Sequence, residues 1–467
     1  MELLKKLRWP GIVLLTVLYI IFKVMGIGGN IINIFSIGLA GIILTLPLEE
    51  KVYTSFFFIQ GFLYFFVFSF AFYNVIVLMI LGHMLLMKKH FPRLNIIILS
   101  GILLAYEIVL HVVYSNMEIS YLVKWVLAFF VSISLMQNNV IKFDKCKAIF
   151  LYALGSTFIE VGTLLGNNGL LSSSIYDRFE GGMGTLNNNT FSLYCLFCVS
   201  LCVYVLCDKR AQKNSPFYQK YKRIMPILLI AFAGIALFVG ASMLSKAYFL
   251  VAIIWAMILF LFNAKYKKRA ILLFLIAVVS VIAIFSIPTT RELVNGVIAR
   301  FGGLNDINTI TTGRTEILLR YITKLRNDPI KLFFGTGLFT YTEVFNIGIY
   351  TGQNTNYVTH NVILEIICGY GLVGFSILLW VYLKAFIKDS KNKFYKDFNR
   401  FIPLIVFLVF GLSLSLYRED VTHFIILLCL VVCRSDLSNN ISDKAQTDAE
   451  IDTTSDIESK ELFFQKP

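Results

Sequence analysis

His360 closes a polar stretch, Tyr350 to Thr359, and stands at the mouth of a long apolar block. An unperturbed imidazole titrates near pH 6.5, so a histidine placed there suits accepting a proton from a hydroxyl that is becoming a nucleophile. The residues before it and at its borders collect Arg291, Arg300, Arg314, Arg320, Lys324, Arg326 and Lys331. Guanidinium groups stay charged at any relevant pH and bind pyrophosphate through paired, charge-assisted hydrogen bonds, so such a cluster asks for an anion. Lys324, Arg326 and Lys331 suit acidic lipid headgroups equally well. Arg314 is more pointed: it follows Gly313 at the start of a helical pattern, where free backbone N–H groups also favour negative charge.

Other candidates are scattered along the chain. Lys246 follows Ser245 at the end of an apolar block, which puts a cation at headgroup level, by function or by snorkelling. Glu107 and His111 are four apart on one helical face and Glu160 lies in another apolar block; each fits a buried structural contact as well as a functional lining. Cys195, Cys198, Cys202 and Cys207 line an apolar helix with no nearby histidine and read as small buried hydrophobes. The sequence has no phosphate-binding loop of the Gly-x-x-x-x-Gly-Lys type and no Asp-x-Asp pair. Gly335-Thr336-Gly337 is too short for a dinucleotide fingerprint and reads as a turn. No metal and no cofactor is expected.

The elements that must hold these groups are membrane spans. The chain of 467 residues is 57% hydrophobic and 15% charged, and its apolar residues come in blocks of about twenty, long enough to cross a hydrocarbon layer of about 30 Å. The net charge of +14 does not point to nucleic acid, because the basic residues sit in short segments between blocks: Lys5 to Arg8, Lys88 to Arg93, Lys142 to Lys147, Lys209 to Arg223, Lys265 to Arg269 and Lys384 to Arg400. That is the positive-inside pattern. Met1 to Ile27 reads as a retained first span. The run from Val52 to Met87 reads as two spans turning near Phe70 to Asn74, or else as one tilted helix with a re-entrant piece.

The expected fold is therefore an all-α, polytopic transmembrane helix bundle of about 12–14 spans with both termini in the cytoplasm. The transmembrane domain covers residues 1–434, and residues 435–467 form an acidic, disordered cytoplasmic tail. Three segments fall outside: Gly166 to Asn189, which carries Arg178; the turn around Ser242 to Lys246; and a large extracytoplasmic loop at about 288–360. Within that loop Gly313 to Asp328 reads as an amphipathic helix with Ile317, Leu318, Tyr321, Ile322 and Leu325 on one face, lying on the membrane surface with that face down.

The order of these elements resembles the O-antigen ligase and polymerase superfamily of bacterial envelope enzymes. The resemblance rests on Ser245-Lys246, Gly313-Arg314, Gly335-Thr336-Gly337, and then His360-Asn361-x-x-Leu364-Glu365 with Gly369, Gly371, Leu372 and Gly374. It covers about a third of the chain. Its first element is usually Ser-Arg, so Lys246 keeps the charge but not the fork. The resemblance implies a sugar chain on a polyprenyl pyrophosphate as donor, and an outer-face site in which His360 is general base and Arg314 binds the diphosphate. Lys246, Arg291, Arg320 and Arg178 join by position and charge, and Asn361 and Glu365 complete the substrate-binding set.

The expected function is a metal-independent, inverting glycosyltransferase of the bacterial cytoplasmic membrane. It would polymerise oligosaccharide repeat units into capsule, exopolysaccharide or O-antigen. The rival readings are a ligase of finished chains and, from a different class, a flippase or transporter. The partners expected are the polyprenyl-pyrophosphate-linked oligosaccharide and membrane lipid, with a flippase and a chain-length regulator alongside and no nucleic acid.

Overall fold

The computed structural model describes residues 2–27, 30–61, 64–67, 70–87, 91–114, 119–137, 143–166, 188–243, 245, 248–255, 314–347, 357–387, 398–412, 414 and 416–433. Its elements are almost all helices: α1 (Glu2–Val24), α2 (Asn30–Leu44), α3 (Leu48–Phe58), a two-residue ladder of β1 (Phe66–Val67) on β2 (Phe70–Ala71), and α4 (Phe72–Leu86). There follow α5 (Leu94–Tyr114), α6 (Ile119–Gln137), α7 (Lys145–Gly166), α8 (Asn188–Cys207), the short α9 (Lys209–Asn214) and α10 (Pro216–Lys220), and α11 (Met225–Ser242). The elements α12 (Arg314–Asn327), α13 (Pro329–Phe334) and α14 (Tyr341–Phe345) come next. The chain then continues through α15 (Val362–Ile387), α16 (Ile402–Gly411) and α17 (Thr422–Cys433).

Among the described residues six helices are long and apolar enough to cross a membrane, and five shorter apolar helices accompany them. The protein is a polytopic all-α bundle. Helix α8 is its axis, with its cysteines at Cys195, Cys198 and Cys202 fully buried among α7, α11 and α16. Helix α5 lies at the rim, where Ile98, Ile102, Val109 and Val112 are exposed along one side. An apolar stripe of that length is a surface for lipid, because its backbone is satisfied within the helix. The spans expected between 256 and 313, and the tail at 435–467, lie outside the described residues.

The run from Val52 to Met87 departs from the expected pair of spans. Helix α3 ends at Phe58 after 11 residues, about 16 Å at 1.5 Å per residue, so it does not cross. The turn is not at Phe70 to Asn74, which lie in β2 and the start of α4; before them the ladder pairs Phe66 with Ala71 and Val67 with Phe70. The physical reason is local. Gln60 and Gly61 interrupt the apolar run, and the buried Gln60 amide turns towards Glu160, at 3.5 Å, instead of continuing a helix.

The bundle has two chemically different ends. At one, Glu50 takes the Trp9 indole N–H at 2.7 Å and pairs with Lys147, while Asp144 accepts from Ser215 at 2.7 Å and from the Phe217 amide at 3.1 Å. These contacts gather the basic segments that the positive-inside pattern assigns to the cytoplasm. At the other, Ser245 donates to Asn189 at 2.8 Å, Trp125 donates to the Tyr417 carbonyl at 2.7 Å, and the Leu338 amide donates to Glu107 at 2.8 Å. His360 belongs to this second end.

Candidate active site

Helix α12 forms where the apolar spacing predicts it, but its buried face does not lie on lipid. Ile317, Tyr321 and Leu325 pack against Tyr341, Phe345, Ile347, Leu364 and Cys368 in a small core of their own. The expectation of a helix resting on the membrane by that face is therefore corrected: the loop contains its own partner for the stripe, in α14 and the start of α15. Ile322, expected on the buried face, is exposed, as are Leu319, Ile330, Phe333 and Phe334. Lys324, read as a headgroup cation, instead donates to the Phe345 carbonyl, and Lys331 pairs with Asp328 at 3.0 Å.

This small core carries the segment that ends in His360. The Tyr321 hydroxyl donates to the Tyr357 carbonyl at 2.6 Å, and the Tyr357 amide donates to Ile347 at 3.3 Å. Thr359 is buried, and its hydroxyl donates to the Asn361 carbonyl at 3.1 Å. Asn361 caps α15: its side-chain oxygen accepts from the Leu364 amide at 2.9 Å, and its amide group donates to the Leu412 carbonyl at 3.1 Å. Between these anchors His360 is held at φ 50, a left-handed conformation that costs a non-glycine residue about 1 kcal/mol or more and persists only where neighbours impose it.

The imidazole is half-buried, and burial pushes its pKa down to about 4, with the nearby Arg314 charge adding to the fall. His360 is thus a neutral base at neutral pH. Arg314 opens α12 as expected, and Arg320, one turn and a half further, lies 2.5 Å from Glu316. The structure brings His360 and Arg314 together; Lys246, Arg291 and Arg178 lie outside the described residues.

The Gly335-Thr336-Gly337 turn has a definite partner. Helix α15 is broken at Gly371 (φ 65, ψ −175), so the carbonyls of Cys368 and Gly369 lose the amides that would meet them one turn on. The turn supplies replacements: the Thr336 amide donates to Cys368 at 2.9 Å and the Gly337 amide to Gly369 at 2.8 Å. Fit is close on both sides. A Cβ on Gly335 would stand 2.3 Å from the Gly369 carbonyl oxygen, and one on Gly371 2.2 Å from that of Phe333. Two buried carboxylates complete the frame. Glu107 reaches from α5 to the Leu338 amide, and Glu365 in α15 accepts from the Tyr417 amide at 2.9 Å.

Residues 227–379 match the family model described as O-antigen ligase. The match covers about a third of the chain and contains α12, the glycine turn, His360 and the break in α15, in keeping with the O-antigen ligase and polymerase superfamily. Members of that family are glycosyltransferase-like enzymes. No curated protein matches the chain.

Sequence reasoning missed the contribution of Arg418, Glu419 and Asp420, which lie between α16 and α17 at the same end of the bundle. The guanidinium of Arg418 lies 5.6 Å from the centre of the Phe339 ring and 5.7 Å from that of Tyr341. Burial and the neighbouring Asp420 push Glu419 up to about 7. A signal was present: three consecutive charges between two apolar blocks, on the side where the positive-inside pattern leaves few cations.

Proposed function

We propose that the protein is a polysaccharide polymerase that joins polyprenyl-pyrophosphate-linked oligosaccharide repeat units at the outer face of the bacterial cytoplasmic membrane. The observation that carries the reading is the pairing of a neutral, conformationally constrained His360 with the Arg314 cation within the segment that matches this family. The donor is activated by its own pyrophosphate, so the step draws on neither nucleotide nor metal.

In the proposed step an acceptor sugar hydroxyl attacks the anomeric carbon of the donor and gives its proton to His360. A new C–O bond forms, the anomeric bond to the carrier pyrophosphate breaks, and the carrier leaves with the electron pair. Arg314 holds the pyrophosphate as negative charge grows on the departing oxygen, with Lys246, Arg291, Arg320 and Arg178 as further cations. One displacement inverts the anomeric centre. Asn361 and Glu365, whose side chains cap α15 and hold Tyr417, serve by fixing where His360 stands.

The family description favours a second reading, transfer of a finished chain to another envelope acceptor by the same base and cations. The chain-length ladder of the surface polysaccharide separates the two. A deletion strain complemented with wild type, His360→Ala or Arg314→Ala at matched membrane expression should leave single repeat units for a polymerase and long carrier-linked chains for a ligase. A normal ladder with both variants would remove these residues from the reaction and refute the proposal.

A further inference from the structure

Arg418 is flanked by two aromatic faces and lies within electrostatic reach of three carboxylates, Glu107, Glu365 and Glu419. Phe339 and Tyr341 flank it at 5.6 and 5.7 Å, and among the described residues it makes no ion pair. Its loop does not float. Tyr417 beside it is held by Glu365 through the amide and by Trp125 through the carbonyl, and Phe339 follows Leu338, whose amide is held by Glu107. Both walls of the Arg418 slot are therefore tied to the bundle by buried side chains. Tyr341 adjoins the His360 segment at Thr359.

A stacked guanidinium keeps its plane fixed and its N–H edge free, which is the arrangement that serves bidentate capture of an oxyanion. The two aromatic faces help to hold the guanidinium in place beside those carboxylates. The charge acts across the site, since it lowers the pKa that burial raises at Tyr341 and at Tyr321. Glu365 is the structural alternative. It is fully buried with one carboxylate oxygen unpartnered, and if Arg418 serves only as its counter-charge, substitution affects folding and not binding.

We propose that Arg418, seated on Phe339 and Tyr341, is a substrate-binding residue that takes an oxyanion of the lipid-linked substrate opposite Arg314. The inference rests on the reading of the site as one for a prenyl-pyrophosphate-linked saccharide. Two parts of such a substrate carry the required chemistry: the pyrophosphate of the carrier and the carboxylate of an acidic sugar.

The test uses the purified full chain in lipid nanodiscs and titrates two probes by calorimetry: geranylgeranyl pyrophosphate, which has no sugar, and a carrier-linked oligosaccharide containing a uronic acid. Arg418→Gln should bind at least about ten-fold more weakly, with Arg418→Lys and Phe339→Leu intermediate and Lys222→Gln, an exposed cation at the other end of the bundle, unchanged. Loss with both probes assigns the carrier pyrophosphate, and loss with the saccharide probe alone assigns the sugar acid. Equal affinity of Arg418→Gln and wild type for both probes overturns the inference, as does a lowered thermal midpoint with unchanged affinity, which is the counter-charge outcome. If wild type binds neither probe, the reading of the site falls and takes the inference with it.

Discussion

Replacing Arg314 by Gln removes a positive charge that opposes protonation of His360, and the consequences have opposite signs in the empty and the occupied site. The fall of the His360 pKa from 6.5 to about 4 corresponds to roughly 3 kcal/mol against the imidazolium, an upper bound because the ring is only partly buried. Burial is the larger cause and Arg314 the smaller, so Arg314→Gln should raise the pKa while leaving it below 6.5. In wild type the anionic donor then does what the mutation does. Pyrophosphate against Arg314 offsets the repulsion and makes His360 a stronger base when a hydroxyl is in place.

The assay is the pH dependence of turnover on carrier-linked oligosaccharide, where kcat/KM reports the free enzyme and kcat the complex. Wild type should show the acid limb of kcat/KM well below pH 6 and that of kcat at higher pH. In Arg314→Gln the first limb moves up, the gap narrows, and kcat falls by about a hundred-fold for lost stabilisation of the leaving group. Glu419, pushed up to about 7, titrates nearby, so both profiles are repeated in Glu419→Gln. A wild-type kcat/KM limb at 6.5 in that background, or one that Arg314→Gln leaves in place, would refute the assignment of His360 as a base depressed by burial and by Arg314.

Stability should carry the same signature. Between about 4 and 6.5 the unfolded chain binds a proton at His360 that the folded protein refuses, so stability present above pH 6.5 is lost as pH falls towards 4. The thermal midpoint of wild type should drop over that window by more than that of His360→Gln. Gly371→Ala should destabilise the loop by at least about 3 kcal/mol, through its positive φ and the clash with Phe333, seen as early proteolysis of 314–347. Glu107→Gln should keep its bond to the Leu338 amide and most of the midpoint, whereas Glu107→Leu should lose about 1–3 kcal/mol. Asn361→Ala should cost about 1 kcal/mol as a lost helix cap and lower kcat by loosening His360, which a full pH profile separates from loss of the base itself.

Much of this was legible because membranes restrict the grammar. Blocks of apolar residues determine a helical bundle, and the periodicity of 314–327 is enough to place a helix there. What the sequence did not disclose depended on contacts between distant segments. Nothing in the spacing of Ile317, Tyr321 and Leu325 says whether the stripe meets lipid or protein; Tyr341, Phe345 and Leu364 decide it. The shortness of α3 follows from one buried amide, Gln60, that a hydropathy average absorbs. His360 and Arg314 were readable by residue type and order, while Arg418 was not, because it is separated by a whole span from the loop whose aromatic residues seat it.

The interlock between Gly335–Gly337 and the broken α15 has a consequence for diversity. Beside the side-chain contacts of Tyr321, Thr359 and Asn361, the frame around His360 is joined through main-chain amides, main-chain carbonyls and two carboxylates, so it makes few demands on the other side chains of the site. Those side chains can be exchanged without dismantling the frame. On the proposed function, a chassis joined in this way can keep one reaction while its clientele of saccharides changes, which is what an enzyme that builds the cell surface requires when the surface itself is under pressure to vary.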